Sequence, residues 1–552
     1  MVNSLPAWLV PLPDAETMRA VDRWAIDEQG VASLELMERA GAGVARALER
    51  LAPDGPVTVV CGKGNNGGDG LVAARLLRES SRPVAVVCVA APAELTGDAR
   101  ANLERLPGAL PVRLDGTAWS GQRDGEETPK DRADLFGADA SVIDALLGTG
   151  FEGEPRGAVA ESIAAINAAG APVVSVDVPS GVDASTGVVR GGAVCASLTV
   201  TFHAAKPGLW INPGKAHAGE VQVLDIGIPR GAPGGASIGL IDPSVLEQLP
   251  RRDARATKFT SGHVLIVGGS RGLTGAPQMA AKASMRAGAG YVTACVPASL
   301  QELIAGAGTP EMMTRGLPDD DGALTAQAVA GVLEASERGG SLALGPGLGR
   351  TDGAFACARA IAAQAAIAMV LDADGLNAHA GRLADLRART APSVLTPHAG
   401  ELGRLLELDS SEIERERLRH VTTAAEQAQT VVLLKGDDTL IAAPDGMVAV
   451  SPGDSPALAT AGTGDVLTGV IAAMLAQGLQ AFAAAAAGVW LHAEAGREAA
   501  RRVGAAEGVI ATDVIAALPA ARSRASRARM RDTRARPRSG SAQQRGRARG
   551  NG

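Results

Sequence analysis

A glycine-rich run near the start of the chain has the residues to bind a phosphate group. Gly62-Lys-Gly-Asn-Asn-Gly-Gly-Asp-Gly70 follows an apolar stretch at 57–61 and precedes a helical pattern. Glycines let a backbone approach a ligand closely, and a helix N-terminus offers free N–H groups to an anion. Gly62, Gly64 and Gly67 have the GxGxxG spacing of nicotinamide dehydrogenases, but that fingerprint needs an acid after the second strand. Here the second strand ends Val-Cys-Val-Ala-Ala-Pro, which disfavours a dehydrogenase.

Oxygen-bearing side chains follow the next two apolar runs. One run ends in Asp144-Ala-Leu-Leu-Gly-Thr-Gly and the other in Asp177-Val-Pro-Ser180-Gly. In a parallel sheet both ends open into the same crevice as Asn66. Asn66, Asp144 and Ser180 together supply donors that suit a hard cation. Each of these residues alone also fits a turn or a helix cap, but their coincidence at successive strand ends favours a site.

The strongest signal lies in the second half of the chain, at Ala461-Gly-Thr-Gly-Asp465-Val-Leu467 before an apolar helical pattern. Small residues at a helix N-terminus expose N–H groups that stabilise negative charge on a transferring phosphoryl group. Asp465 lies in the first helical turn, where it can take a proton from a substrate hydroxyl. An acid in that turn also satisfies the helix dipole, which is the structural alternative.

The strands and helices that must position these groups alternate along the sequence. In the first half, continuous apolar runs predict buried parallel strands, and helical patterns lie between several of them. The predicted strands are 57–61, 84–89, 141–147, 173–178, 198–202 and 221–226, with helices at 15–51, 70–78 and 158–169. This order predicts a Rossmann-like, doubly wound α/β sheet.

The second half repeats this alternation and predicts a second α/β domain. Its predicted strands are 263–267, 291–296, 342–344, 368–371, 393–395 and 431–434, and helices at 466–475 and 481–495 follow. Residues 230–237, Arg-Gly-Ala-Pro-Gly-Gly-Ala-Ser, have the composition of a linker. We therefore predict a first domain at 1–229, a second at 238–521, and a disordered basic tail at 522–552.

Composition excludes several classes of protein. The net charge is −7 although residues 522–552 contain eleven arginines and one acid, so the body is strongly acidic and a nucleic-acid groove is disfavoured. The five cysteines form no CxxC pair, which disfavours zinc or a disulfide framework and fits a reducing compartment. No signal peptide or membrane span is evident. We expect a cytoplasmic protein, and a homo-oligomer.

The motifs of the first half resemble those of the NAD(P)H-hydrate epimerase family over roughly residues 10–229. They are Asn-Asn-Gly-Gly-Asp-Gly, Asp-Ala-Leu-Leu-Gly-Thr-Gly, Asp-Val-Pro-Ser-Gly and the downstream Phe202-His-Ala-Ala-Lys206-Pro-Gly. The resemblance implies that potassium is held by Asn66, Asp144 and Ser180. It implies that the substrate is contacted by Asp177 and lined by Asn65, Asn66, Gly67, Gly68, Asp69, Gly148, Thr149, Gly150, Phe151, Glu152, Gly153 and Glu154.

The implied reaction inverts a carbon that carries a hydroxyl and a ring nitrogen. Inversion can proceed by ring opening or by loss and return of water, and either route needs an acid or base at that carbon. Asp177 is the candidate for this role. Lys206 is a weaker one, because a lysine before Pro-Gly can simply belong to a turn.

Gly-Thr-Gly-Asp in this context resembles the motif of proteins with the ribokinase-like fold. Further runs over roughly 240–518 resemble those of the ADP/ATP-dependent NAD(P)H-hydrate dehydratases. These runs include Gly345-Pro-Gly-Leu-Gly349, Asp372-Ala-Asp-Gly-Leu-Asn377, Thr396-Pro-His-Ala-Gly-Glu401 and Lys435-Gly-Asp-Asp-Thr439. The resemblance implies substrate contacts at Ala276, Gly347, His398 and Asp465, and nucleotide contacts at Lys435, Gly436, Asp437, Asp438, Thr439 and Gly464. ADP or ATP would arrive with Mg²⁺. Thr257-Lys-Phe259 departs from the family's His-Lys-Gly.

Both halves thus predict one substrate class, hydrated NAD(P)H, which the first half would epimerise and the second dehydrate. The rival is a kinase for a vitamin precursor, with the first half as a binding module; a non-catalytic nucleotide-binding protein is a third class. His398 also fits a buried structural histidine on a turn. Phosphorylation of the substrate hydroxyl makes a good leaving group, which the ring nitrogen can expel.

Overall fold

The computed structural model of the protein describes residues 5–117, 119, 135–137, 139–453 and 455–535. Two sheets that are mostly parallel dominate the fold, and helices pack against them. The α/β fold class expected from the sequence is confirmed. Among the described helices, none combines the length and apolarity that a bilayer crossing requires.

The first sheet has six strands, all parallel, in the described residues. Across the sheet the order is Val84–Cys88, Val57–Cys61, Ser141–Ala145, Val173–Val176, Leu198–Phe202 and Glu220–Leu224. From Val57–Cys61 the chain continues to Val84–Cys88 on one side and then to Ser141–Ala145 on the other side. The strand order therefore reverses beside Val57–Cys61. Ligands bind at such a switch point, beyond the carboxyl ends of the strands.

Helices cover both faces of this sheet. They are Ala15–Arg23, the π-helix Trp24–Glu28, Ser33–Leu51, Asn65–Glu79, Gly97–Glu104, Ala158–Ala168 and the short Lys215–Ala218. The single helix predicted at 15–51 is wrong, because the chain breaks at Gly30, whose φ is 70°. The helix predicted to begin at Gly70 begins instead at Asn65, so the glycine-rich run is itself the first helical turn.

The second sheet has eleven strands in the described residues. Its order is Leu9–Pro11, Ile238–Ile241, Val448–Val450, Leu440–Ala442, Val431–Leu434, Ser393–Leu395, Ala368–Leu371, Ser341–Leu344, His263–Val267, Tyr291–Pro297 and Met312–Leu317. The last seven are mutually parallel. Here the order reverses between His263–Val267 and Ser341–Leu344, which places a second crevice beyond these two strands. A two-stranded hairpin, Asp319–Asp320 with Ala323–Leu324, lies apart.

The N-terminal strand belongs to the second sheet rather than the first. Leu9–Pro11 pairs antiparallel with Ile238–Ile241, and Trp8 and Leu9 are buried in the second sheet's core. Leu12 and Ile211 are buried in the core on its other face. The boundaries 1–229 and 238–521 stay a prediction, but the pairing shows that residues 8–12 pack with the second half.

The helices of the second half are Gly275–Arg286, Gln301–Ala307, Ala328–Ser336, Asp352–Gln364, Asp374–Asn377, Ala399–Leu406, Ser410–Arg415, Arg417–Ala428, Thr463–Ala476, Ala481–Val503 and Ala511–Ala535. The last helix runs past the predicted start of the disordered tail at 522, so that prediction is wrong for 522–535. The Arg522 guanidinium donates to the carbonyls of Ala287 and Pro250, which fixes the helix to its neighbours. The remainder of the predicted tail, 536–552, lies outside the described residues.

Candidate active sites

A cavity of about 890 Å³ opens at the switch point of the first sheet. Its walls come from the glycine-rich helical turn, from the segment after Ser141–Ala145, and from the three helices that precede the sheet in the chain. The charged side chains that line it are Arg19, Asp22, Lys63, Asp69, Glu94, Asp98, Glu152, Asp177 and Lys206. The volume is in the range of small-molecule sites.

The glycines of this region are required by close backbone approach. A Cβ atom added to Gly67 would lie 2.0 Å from the carbonyl oxygen of Gly62, and one added to Gly62 would lie 2.0 Å from that of Leu146. At Gly148 an added Cβ would lie 2.9 Å from Asn66 Oδ1. The loop and the helix start can therefore meet the segment after Ser141–Ala145 only if these positions lack side chains.

The three predicted cation ligands lie together around Leu147. Asn66 Nδ2 donates to the Leu147 carbonyl at 2.9 Å, and the Leu147 N–H donates to Ser180 Oγ at 2.9 Å. Ser180 Oγ in turn donates to Asp144 Oδ1 at 2.5 Å. The cluster thus brings carboxylate, hydroxyl, amide and carbonyl oxygens to one place, a donor set that fits a hard monovalent cation.

Asp144 is fully buried at the centre of this cluster. Burial raises its pKa, although hydrogen bonds from Ser180 and Ser175 oppose the rise. Ser175 Oγ donates to Asp144 Oδ2 at 2.8 Å, and the Ser180 N–H donates to the same oxygen at 2.9 Å. A positive charge beside this carboxylate would offset the cost of burying it.

Asp177 directly follows the strand Val173–Val176 and lies in the left-handed backbone region, with φ at 66°. Its Oδ1 accepts from Lys206 Nζ at 2.6 Å and from Thr201 Oγ1 at 3.1 Å. Its Oδ2 accepts from the N–H of Thr149 at 3.2 Å and from the Thr149 hydroxyl. Burial alone would raise the pKa of Asp177, but the charge of Lys206 and these hydrogen bonds outweigh it and hold the pKa below its usual value.

Lys206 is 1% exposed, and its ammonium group is fully used. Besides Asp177, it donates to Thr201 Oγ1 at 2.8 Å and to the Phe202 carbonyl at 3.0 Å. Three acceptors match the three N–H donors of a lysine. Lys206 therefore positions Asp177, and the alternative expectation of a lysine that merely belongs to a turn does not describe this buried ion pair.

The structure brings most, but not all, of the predicted substrate residues to the cavity. Asn65, Asn66, Asp69, Gly148, Thr149, Gly150, Phe151, Glu152 and Asp177 line it. Gly67 and Gly68 are buried in the helical turn behind the lining, Gly153 faces a smaller cleft, and Glu154 packs against Gly191. Sequence reasoning missed Arg19, Asp22 and Met37, which reach the cavity from helices far from any motif.

In the second crevice, Asp465 lies in the first turn of Thr463–Ala476 as predicted, after Gly462, whose φ is 89°. Burial and the nearby carboxylate of Asp372 raise the pKa of Asp465 to about 7, although the charge of Lys435 opposes the rise. A carboxylate with such a pKa is suited to accept a proton near neutral pH.

Lys435 lies at the centre of a charged network in this crevice. Its Nζ is 2.9 Å from Asp372 Oδ1 and 3.6 Å from Glu401 Oε2. Thr468 Oγ1 donates to the other oxygen of Asp372 at 2.6 Å. The pKa of Asp372 is lowered because Lys435 and Thr468 outweigh the effect of its burial. Gly464 faces this network, since a Cβ atom there would lie 3.8 Å from Lys435 Nζ.

His398 begins the helix Ala399–Leu406 as its N-cap. Its Nδ1 accepts from the N–H of Gly400 at 3.0 Å, while Glu401 Oε2 accepts from the N–H of His398 at 2.9 Å. The side chain is 55% exposed, so the alternative of a buried histidine is wrong. Ala276 and Gly347 are neighbours at the switch point, where a Cβ atom on Gly347 would lie 3.1 Å from that of Ala276.

The loop 435–439, predicted to bind the nucleotide, is tied to the first half of the chain. Asp438 is 1% exposed; its carboxylate lies 2.9 Å from the Arg417 guanidinium and accepts the N–H of Asn212 at 2.8 Å. Lys215 Nζ is 2.6 Å from Asp437 Oδ2. Thr439 Oγ1 donates to the Gly436 carbonyl at 2.7 Å. The Asp438 carboxylate thus binds Arg417 and the backbone of Asn212, a structural role that the sequence did not indicate.

Comparison with known proteins gives matches to both halves. Residues 264–520 match the family described as NAD(P)H-hydrate dehydratase, and residues 33–208 match the N-terminal family of YjeF-related proteins. Proteins named bifunctional NAD(P)H-hydrate repair enzyme Nnr match along most of their length. The one from Moorella thermoacetica is 42% identical over 92% of this chain and 96% of its own. The one from Salinibacter ruber is 41% identical over 92% of this chain and 95% of its own.

Solved structures also match the second half. An ADP/ATP-dependent NAD(P)H-hydrate dehydratase from Bacillus subtilis, co-crystallised with ATP and Mg²⁺, is 31% identical. It covers 51% of this chain and 96% of its own, with a TM-score of 0.44. A ribokinase-like protein from Enterococcus faecalis is 25% identical over 52% of this chain and 96% of its own, with a TM-score of 0.45.

Proposed function

This chain belongs to the bifunctional NAD(P)H-hydrate repair enzymes, and from that premise we propose how its residues divide the work between the two crevices. The protein is an NAD(P)H-hydrate epimerase and an NAD(P)H-hydrate dehydratase. Epimerisation takes place in the cavity of the first sheet, and dehydration takes place in the crevice beside Asp465. The observation that carries this division is that each switch point has its own buried carboxylate–lysine pair, Asp177 with Lys206 and Asp372 with Lys435.

In the first cavity, the ionised Asp177 accepts the proton of the substrate's C6 hydroxyl. Its present partner, the Thr149 hydroxyl, can rotate away and leave its place to that hydroxyl. Lys206 keeps the carboxylate ionised and fixed in direction, because its other donors are anchored on Thr201 and Phe202. The substrate lies against Asn65, Asn66, Asp69 and the segment Gly148–Glu152, which together form the walls near Asp177.

Asn66, Asp144 and Ser180 would hold a potassium ion beside this cavity through their side-chain oxygens. The support is the convergence of oxygen donors on Leu147 and the buried carboxylate of Asp144, which lacks a cationic partner among the residues described. When bound, the ion would supply positive charge near the substrate. The chain's own part is to hold Asn66 and the glycine-rich turn in the position that lines the cavity.

In the second crevice, Asp465 takes the proton of the C6 hydroxyl as its oxygen attacks the terminal phosphate of ADP or ATP. The ring nitrogen N1 then expels the phosphate, and loss of a proton from C5 restores the dihydropyridine. Its pKa of about 7 suits Asp465 to this first step. The N-terminus of Thr463–Ala476 stabilises the charge that develops on the phosphoryl group.

The nucleotide lies against the loop 435–439 and Gly464, and the substrate against Ala276, Gly347 and His398. Mg²⁺ would be held mainly by the nucleotide phosphates, because Asp372 is already engaged by Lys435 and Thr468. Lys435 and the backbone of its loop meet the phosphates, whereas Asp438 holds the loop through Arg417.

The test is to incubate the protein with a mixture of hydrated NADH epimers and ADP or ATP while following the near-ultraviolet absorbance of dihydronicotinamide. Complete recovery of NADH from both epimers is expected with nucleotide, and interconversion of the epimers without it. Recovery that stops at one epimer would remove the epimerase assignment. Phosphorylation of a vitamin precursor with no recovery of NADH would favour the rival kinase.

A further inference from the structure

Asp69 differs from Asp144 and Asp177, the other buried carboxylates of the first half discussed above, because it is buried and has no partner. It lies in the first turns of Asn65–Glu79, is 8% exposed, and lines the cavity of the first sheet. Within the described part of the chain its carboxyl group takes part in no hydrogen bond or ion pair. A buried polar group without a partner is costly and calls for an explanation.

The surroundings of Asp69 oppose its ionisation. Burial is the main cause, and the negative charges of Asp177 and Asp22 add to it, so that the pKa of Asp69 is raised well above its usual value. The pKa of Asp177, which lines the same cavity, is shifted in the opposite direction because Lys206 stabilises its charge. Two carboxyl groups in one cavity whose pKa values are shifted in opposite directions can supply an acid and a base to a reaction.

Other groups in the cavity are less suited to donate the proton. Lys206 has three acceptors for its three donors, so none is directed at a substrate. Asp177 accepts four hydrogen bonds and offers no proton. Among the described residues that line the cavity, Asp69 is the one that combines burial with an unengaged carboxyl group.

We propose that Asp69 is the second acid/base group of the epimerase, giving a proton to the substrate while Asp177 takes one. The inference rests on the proposed epimerase reaction. In the ring-opening route, Asp177 removes the proton of the C6 hydroxyl and the C6–N1 bond breaks. Its electron pair moves to N1, which takes the proton of Asp69, while C6 becomes an aldehyde.

After rotation about C5–C6, the steps run in reverse on the other face of the aldehyde. N1 attacks C6 and returns its proton to Asp69, and the new alkoxide recovers its proton from Asp177. If water leaves and returns instead, the same pair serves: Asp69 protonates the departing hydroxyl, and a carboxylate deprotonates the water that adds. Both routes balance without any further reactant.

The variant that tests the role is Asp69→Asn, which keeps the size and neutrality of the side chain but cannot transfer a proton. Epimerisation without nucleotide is expected to lose about 10²–10⁴-fold in kcat with little change in KM, since only proton transfer is removed. The matched control is Asp27→Asn, an exposed position outside the cavity, which is expected to behave as the unaltered enzyme. An Asp69→Asn enzyme with near-normal kcat would overturn the proposal.

A second measurement does not depend on turnover. In infrared spectra at neutral pH, the unaltered enzyme is expected to show the C=O stretch of a protonated carboxyl that Asp69→Asn removes and Asp27→Asn retains. No loss of such a band in Asp69→Asn would overturn the proposal even if that variant is inactive or unstable. Failure of the unaltered enzyme to epimerise at all would instead remove the proposed function itself, and with it the role of Asp69.

Discussion

The backbone N–H of Asn212 donates a 2.8 Å hydrogen bond to Oδ2 of Asp438, two residues that lie 226 positions apart. Asn212 follows Lys206, which holds Asp177 in the first cavity, by six residues. Asp438 belongs to the loop that lies beside the second crevice. A short segment of the chain therefore touches both sites, and the ion pair of Lys215 with Asp437 reinforces the contact.

The first prediction concerns the buried ion pair on which this contact depends. Asp438→Ala leaves the Arg417 guanidinium, 2% exposed, without its buried partner, although Glu414 still reaches it. Loss of one member of a buried pair costs about 3–5 kcal/mol, so urea is expected to unfold the second half at a clearly lower concentration. The matched control is Asp253→Ala, which breaks an ion pair between two exposed side chains and is expected to leave the midpoint unchanged. Equal midpoints for the two variants would contradict this view.

A second prediction concerns the N-terminal strand. Removal of residues 1–12 exposes the surfaces that Trp8, Leu9 and Leu12 cover in the second half, at about 1.5–3 kcal/mol for each side chain. The thermal midpoint of the dehydratase half is therefore expected to fall, although the deletion lies at the other end of the chain. Removal of 536–552 is the control, with no expected change. A deletion of 1–12 that leaves the dehydratase as stable as before would show that the strand is dispensable.

The same packing changes the expectation for isolated halves. The linker composition at 230–237 predicts separable domains, but a fragment of residues 1–232 would expose Trp8, Leu9 and Ile211 to water. We therefore expect that fragment to aggregate on expression. Size-exclusion chromatography and chiral separation of the hydrates test this expectation. A soluble, monomeric fragment with epimerase activity would instead favour two separable domains divided at 230–237.

The sequence predicted which of the candidate cation ligands lie close together better than it predicted the edges of the fold. Asn66, Asp144 and Ser180 were placed together because parallel strands end at one edge of a sheet, and that rule needs no knowledge of tertiary contacts. The strands Leu9–Pro11, Leu440–Ala442 and Val448–Val450 were missed because three residues are too few for a periodic pattern.

Other features depend on contacts that no local pattern encodes. The helix start at Asn65 was missed because glycines are poor helix formers, and here the packing of Gly67 under Gly62 overrides that preference. The contact of Asn212 with Asp438 could not be predicted, since it joins segments that nothing in the sequence relates. The lack of a hydrogen-bond or ion-pair partner for Asp69 likewise depends on the tertiary structure around the cavity, which the sequence does not show.

A fourth prediction tests the cation site. Asp144→Asn removes the buried negative charge and retains one oxygen donor, so the site is expected to lose most of its affinity for a cation while the fold persists. Crystals soaked in thallium are expected to show an anomalous peak between Asn66, Asp144 and Ser180 in the unaltered enzyme and none in the variant. Ser411→Ala, on an exposed helix, serves as the control variant. Absence of a peak from the unaltered enzyme would contradict the assignment.

The last prediction separates the two activities through Asp465. Asp465→Asn is expected to lower nucleotide-dependent dehydration by about 10²–10⁴-fold, because the base is removed while a residue of similar shape remains in the helical turn. Epimerisation is expected to be unchanged, since Asp465 lies in the other crevice. Asp177→Asn should show the converse: dehydration of one epimer persists and use of the other is lost.

The pH dependence supplies an independent check on Asp465. As a base it must be ionised, and its pKa of about 7 means that the protonated, inactive form predominates below neutrality. The dehydration rate is therefore expected to rise about tenfold for each pH unit below 7 and to level off above it. Asp465→Asn is expected to abolish this rise. A rate that is flat between pH 5 and 7 in the unaltered enzyme, measured by recovery of NADH absorbance with short assays at each pH, would show that another group accepts the proton.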